Sequence, residues 1–213
     1  MEKSRRNKFF TLWIVLACVV VFVIQIIFPN FTSIFVLDEN SLIQPWRFLT
    51  AIFLHGGVAH LLYNMFALLF FGLTLESMIG SKRFFWFYII SGVIANFISF
   101  WFYHSSLGAS GAIMAVIGAV AVLRPMMTVW AFGIIMPMFV LGIIWVIGSF
   151  MGIFGFGDQG VGYIAHLSGI MMGILYGLYL RLKKKRREED KVVFKRVIIP
   201  EEEMRRWENF YIR

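Results

Sequence analysis

"SLGASGAIMAV" occupies residues 106–116 and sets Ser110 between Gly108 and Gly111, at the head of an uncharged run. The run closes at Arg124, fourteen residues after Ser110. At 1.5 Å per residue that is about 21 Å of helix, against a bilayer hydrocarbon core about 30 Å thick. With Arg124 at one surface, Ser110 lies on the order of 10 Å below the other. Unpaired N–H groups of a helix start cannot face lipid at that depth. Other helices must therefore surround the serine, and water must reach it from outside.

Composition supplies such surroundings. The 213 residues are 60% hydrophobic and 18% aromatic, where a soluble domain is about 45–50% apolar. The net charge of +8 could point to nucleic acid, but its distribution argues against that partner. Twelve of the twenty Lys and Arg stand at or after Arg181, and four stand before residue 9. Charge confined to the flanks reads as membrane orientation. Cys18 is the only cysteine, which leaves no disulfide framework and no thiolate metal site. The opening "MEKSRRNK" and the apolar run after it have the layout of a signal peptide. That run is longer than a usual signal core and no small-x-small site follows, so a retained span is expected.

Charges mark where the apolar runs stop, and the runs resolve into six spans near 10–28, 59–79, 83–104, 110–123, 128–150 and 161–181. Six spans put nineteen of the twenty basic residues on one side, leaving only Arg47 opposite. Positive residues favour the cytoplasm, so both termini are expected there. The expected organisation is a cytoplasmic N-terminus (1–8), a membrane domain (9–181) and a basic cytoplasmic tail (182–213). The first outer loop, 29–58, is long and apolar and is expected to lie partly in the interface. The loop "GIFGFGDQGVG" (152–162) is glycine-rich. In the tail, Pro200 and the three glutamates after it resemble a short helix start.

His166 lies fifteen residues before Arg181 on the sixth span, which runs in the same direction as the fourth. That brings it to nearly the depth of Ser110. Gly169, Gly173 and Gly177 follow on one helix face, and Gly111, Ala115 and Ala119 offer a matching stripe. Small residues let membrane helices approach closely. On the second span His60 and Asn64 are i and i+4, projecting from one face near the same outer end. Both can donate hydrogen bonds to an oxyanion, as can the Ser110 N–H at the positive end of its helix. Taken singly, Ser110 could be a packing residue, His166 a relay residue and Asn64 interhelical glue. Their convergence at one depth, from three spans, favours nucleophilic chemistry. Glu76 is the only carboxylate inside a span; it lies too deep to orient His166, so a dyad rather than a triad is expected, with Glu76 structural.

At these residues the chain resembles the rhomboid family of intramembrane serine proteases. The pieces that match are "GASG" (108–111), "HLLYN" (60–64), "AHLSGIMMG" (165–173), "PWR" (45–47) and "GLTLESMIG" (72–80), in order along residues 9–181. The resemblance implies an all-α, polytopic six-helix bundle in which Ser110 attacks a peptide bond of another protein's membrane span and His166 is general base, then acid. It implies an oxyanion site from His60, Asn64 and the Ser110 backbone, with Gly108, Gly111 and Met114 around the pocket and Arg47 and Glu76 structural. It implies no metal and no cofactor, and a multi-pass cell-membrane protein whose site opens to the extracytoplasmic side. The bulky fifth span (Trp130, Phe132, Phe139, Trp145, Phe150) and the loop after it resemble the family's lateral gate and cap. Met114 departs from the family's frequent aromatic one turn after the nucleophile, and Ser168 from a usual glycine. The alternatives are an inactive relative acting as a membrane chaperone or dislocation factor, which characteristically lacks the serine or histidine, and a zinc protein using His55, His60, His104 and His166. The latter lacks an H-E-x-x-H and any acid or thiolate at that depth. A lipase-type elbow fails because Ala112 stands where glycine is needed.

Overall fold

Glu76 fixes where the first helix begins. Its carboxylate accepts the Phe10 N–H (2.8 Å), the Thr11 N–H (2.9 Å) and the Thr11 hydroxyl (2.6 Å). Helix α1 (Phe10–Ile27) has no side-chain cap of its own, so the acid satisfies first-turn donors at the positive end of the helix dipole. Thr11, Ile14 and Cys18 turn inward, while Trp13, Leu16, Ile26 and Ile27 are exposed.

That inversion runs through the bundle. Arg47, Asn64, Glu76, Asn96 and His166 are buried, whereas Trp86, Phe97, Phe150 and many other large apolar side chains are exposed. A fold that hides its polar groups and presents its apolar ones is built for lipid, where every buried polar group must find a partner inside. The computed structural model describes residues 9–158, 160–197 and 201–211, and the chain forms two compact units, Met1–Gly177 and Leu178–Arg213. The N-terminal segment 1–8 and Pro200 lie outside the described residues.

Among the described residues three helices are long and apolar enough to cross a membrane: Phe10–Ile27, Val58–Ile79 and Tyr163–Glu189. The second of these is α4 (Val58–Ala67) and α5 (Leu73–Ile79), joined through a wider turn at Leu68–Gly72. The predicted third span is α6 (Ser81–Ser99), which stops short of residue 104. The predicted fourth is α7 (Ser110–Leu123), and every residue from Gly111 to Val120 is buried. It is the central post of the bundle.

The predicted fifth span, 128–150, is wrong over its first ten residues. They form an antiparallel hairpin of β3 (Thr128–Ala131) and β4 (Ile134–Pro137), and only then does α8 (Met138–Ile153) begin. Phe132 and Gly133 both adopt positive φ, 54° and 80°, the conformation a tight hairpin turn requires. Val129 pairs with Met136 on the buried face; Trp130 pairs with Ile135 on the other, 69% and 73% exposed. Trp130 and Phe132 thus belong to a hairpin and not to a gate helix, although Phe132 does meet Trp145 of α8 at 6.0 Å. The predicted sixth span, 161–181, is the start of α9 (Tyr163–Val197), which continues through the basic run. Beyond Gly177, Lys184–Glu188 and Lys185–Glu189 pairs line α9 at i,i+4 spacing, and α10 (Glu201–Tyr211) opens with three acids.

The first loop is ordered around Arg47. Its guanidinium donates to Asp38 (2.8 Å), the Ser33 and Val36 carbonyls (3.0 and 2.9 Å) and Gln44 (2.6 Å). Short helices α2 (Phe31–Phe35) and α3 (Arg47–Thr50) are gathered by these bonds. Strand β1 (Leu37–Asp38) then pairs antiparallel with β2 (Ser105–Ser106), just before the serine loop. The Gly108 N–H donates to the Ala51 carbonyl at 2.9 Å. The loop that carries Ser110 is thereby pinned to the first loop from two directions.

Candidate active site

Ser110 is the first residue of α7. Its N–H has no acceptor four residues back within the helix, so it is one of the donors a helix start leaves over. His166 lies in the first turn of α9, whose start is anchored where the Ile164 N–H donates to the Tyr103 hydroxyl at 3.2 Å. The two helices come close because α9 presents glycine to the α7 backbone. A Cβ at Gly169 would collide with the Gly111 carbonyl, and one at Gly173 would lie 2.8 Å from both the Ala115 carbonyl carbon and the Ala119 nitrogen. At Gly177 it would meet Val122 Cβ at 2.8 Å. On the other flank of α7, a Cβ at Gly111 would stand 2.9 Å from Ala95 Cβ.

The result is a hydrogen bond of 2.8 Å between Ser110 Oγ and His166 Nε2. His166 is 7% exposed, and its Nδ1 has no partner among the described residues. The sole carboxylate of the spans, Glu76, is spent on α1. A hydroxyl held against a buried imidazole, with no acid behind it among the described residues, has the geometry that a nucleophile and its base require.

His60 approaches the same point from α4. Its Nδ1 accepts the Gly56 N–H at 3.3 Å, which leaves the ring proton of neutral His60 on Nε2. A Cβ at Gly108 would lie 3.0 Å from that Nε2 and 3.9 Å from Ser110 Oγ. Gly108, at φ +126°, therefore fills the gap between the donor and the serine, where any side chain would intrude. Gly108→Ala is expected to push the His60 ring away from Ser110, since the added methyl group would stand 2.8 Å from His60 Cε1. The imidazole signals of selectively labelled His60 in the folded variant check this.

Asn64 is buried, but its amide donates to the His60 carbonyl of its own helix at 2.8 Å; no bond joins it to Ser110. Met114 is buried in α7, and the ring that meets His166 comes instead from Tyr163, edge-on with centroids 6.2 Å apart. Sequence reading passed over Tyr163, although it sits at i−3 from His166 on one helix. His55, in the loop before α4, was likewise read only as a rival metal ligand. Its backbone is clamped by the Gln25 side chain and its ring lies edge-on to His60, centroids 5.2 Å apart. Burial and the neighbouring His60 lower its pKa to about 4. No three His, Cys, Asp or Glu side chains converge among the described residues.

A family model described as the rhomboid domain matches residues 43–183. The chain is 37% identical over 153 residues to rhomboid protease GluP of Bacillus subtilis, covering 68% of this chain and 29% of that one. It is 33% identical over 159 residues to the mitochondrial Rhomboid protein 1 of Saccharomyces cerevisiae, covering 68% and 44%. To the rhomboid-named YdcA of Bacillus subtilis it is 31% identical over 150 residues, covering 67% and 70%. The chain spans less than half the length of several of these curated relatives, the mitochondrial RHOMBOID-like protein 6 of Arabidopsis thaliana among them at 48%.

Proposed function

The chain belongs to the rhomboid family, and from that premise we propose that it is an intramembrane serine endopeptidase acting through Ser110 and His166. The observation that carries this reading is the 2.8 Å bond between Ser110 Oγ and His166 Nε2. His166 Nε2 takes the serine proton as Oγ bonds to the scissile carbonyl carbon. The oxygen of that carbonyl becomes an oxyanion, met by the Ser110 N–H, by His60 Nε2–H and by the second amide hydrogen of Asn64. Collapse breaks the C–N bond, and the leaving amine takes the proton from His166. Water, deprotonated by the same imidazole, then adds to the acyl carbon; the C–Oγ bond breaks, the acid product leaves, and His166 returns the proton to Ser110 Oγ.

The substrate is another protein's membrane span, cut near its outer end where small or helix-weakening residues expose the peptide bond. Six crossings are read, by α1, α4–α5, α6, α7, α8 and α9. Residues 9–181 form the membrane domain, and the N-terminus 1–8 and tail 182–213 lie in the cytoplasm. The site then opens to the extracytoplasmic side of a cell membrane. Helix α8 is only 16 residues, about 24 Å. The β3–β4 hairpin before it has open edges that hydrocarbon cannot satisfy, so it rests at the inner interface with Trp130 among the headgroups.

The test is to reconstitute the protein with a single-span reporter and sequence the products. Cleavage within the outer third of the reporter's span, absent with Ser110→Ala, is the expected result. An intact reporter, across several span sequences, overturns the reading.

A further inference from the structure

We propose that Tyr163 is a positioning residue: its ring sets the orientation of the His166 imidazole and latches it to the far end of α8. This rests on the protease reading above for its consequence in catalysis, though not for its geometry. The Tyr163 ring meets His166 at 83°, centroids 6.2 Å apart, and the i−3 spacing on one helix aims it there. Its other side is enclosed. A Cβ at Gly152, in the last turn of α8, would lie 2.5 Å from three atoms of the ring, and one at Gly157 would lie 2.7 Å from Cζ. Two glycines, one on α8 and one in the loop, thus form a cradle that any larger residue would fill. The Tyr163 hydroxyl donates to the Asp158 carbonyl at 3.2 Å, which ties the same loop to the ring.

His166 has need of such a hold. Among the described residues Ser110 is the one side chain hydrogen-bonded to its imidazole, and Nδ1 is buried without a partner. The Ser110 bond is broken and remade in every turnover. Between those moments the Tyr163 ring is what keeps Nε2 aimed, the service a carboxylate performs in a triad. Displacing α8 or its loop would move the ring and with it the base. The helix that borders the site and the imidazole inside it are mechanically joined.

The experiment compares Tyr163→Leu, Tyr163→Phe, Gly152→Ala and the double variant Gly152→Ala/Tyr163→Leu, full length and reconstituted. Tyr163→Leu should lower kcat about 10- to 100-fold with KM changed by less than about threefold, since a misaimed group costs turnover and not binding. Tyr163→Phe, which keeps the ring, should restore most of that loss. Gly152→Ala should be impaired alone, yet add nothing in the Tyr163→Leu background, because its methyl group acts only by pushing the ring. A parallel readout needs no activity: the imidazole signals of selectively labelled His166 should shift in Tyr163→Leu and in Gly152→Ala. Wild-type kcat in Tyr163→Leu, or unmoved His166 signals, overturns the latch. A wild-type protein that neither cleaves nor reacts at Ser110 overturns the protease reading instead, and the His166 signals still decide the latch.

Discussion

Ser110→Ala, His166→Ala and the double variant should all fall to one floor, more than about a thousandfold below wild-type cleavage. The two side chains share one hydrogen bond of 2.8 Å and one proton. Removing the imidazole leaves a hydroxyl with no acceptor for its proton, since Nε2 of neutral His60 already carries one and Glu76 is committed to Phe10 and Thr11. Removing the hydroxyl leaves a base with nothing to activate. Losses in such a unit do not add, because either one already abolishes the step. His60→Ala should behave differently. On the proposed function it takes away one of the oxyanion donors, so it should cost about 10²- to 10³-fold while leaving Ser110 and His166 in contact. Steady-state cleavage of a reconstituted reporter measures all four. Separate, additive losses for Ser110 and His166 would mean they do not work as a pair.

The second large effect is on the fold. Gly173→Leu should destabilise the bundle by about 3 kcal/mol or more and abolish activity along with folding. Its Cβ would press on the Ala115 carbonyl and lie 2.8 Å from the Ala119 nitrogen. Backbone cannot yield as a flexible side chain can, so the helices must part. That parting also separates Ser110 from His166. Gly148→Ala is the matched control: it lies in α8 with nothing within 4 Å of the added methyl group. It should be neutral or stabilising by up to about 1 kcal/mol, the ordinary preference of a helix for alanine. Thermal or denaturant unfolding in detergent distinguishes the two. Equal stability of both variants would contradict the packing described for α7 and α9.

What was legible in the sequence follows from what has a fixed metric. Ser110 and His166 could each be counted back from a basic residue, Arg124 and Arg181, along helices of constant rise, and so set at one depth. The glycine stripe of α9 was legible for the same reason. The hairpin was not: "TVWAFGIIMP" (128–137) is as apolar as a span, and hydropathy alone does not separate a strand pair from a helix. The alternation of Val129 and Met136 against Trp130 and Ile135 carried the signal, together with the Phe132–Gly133 turn. Tyr163 stands at i−3 from His166 on the predicted span 161–181, so spacing alone offered that contact, whereas the cradle of Gly152 and Gly157 is a tertiary feature with no local signature. Asn64 had the right spacing from His60, but a buried amide in a helix can satisfy itself on its own backbone, as it does here at 2.8 Å.

The central claim is that Ser110 is a nucleophile activated by His166, and covalent labelling tests it without a known substrate. Purified protein would be treated with a fluorophosphonate, alongside Ser110→Ala and His166→Ala, and the modified peptide identified by mass. The expected result is one label on Ser110 in wild type and none in either variant. A folded wild-type protein that resists probes of several sizes, or a label that persists in His166→Ala, would contradict it.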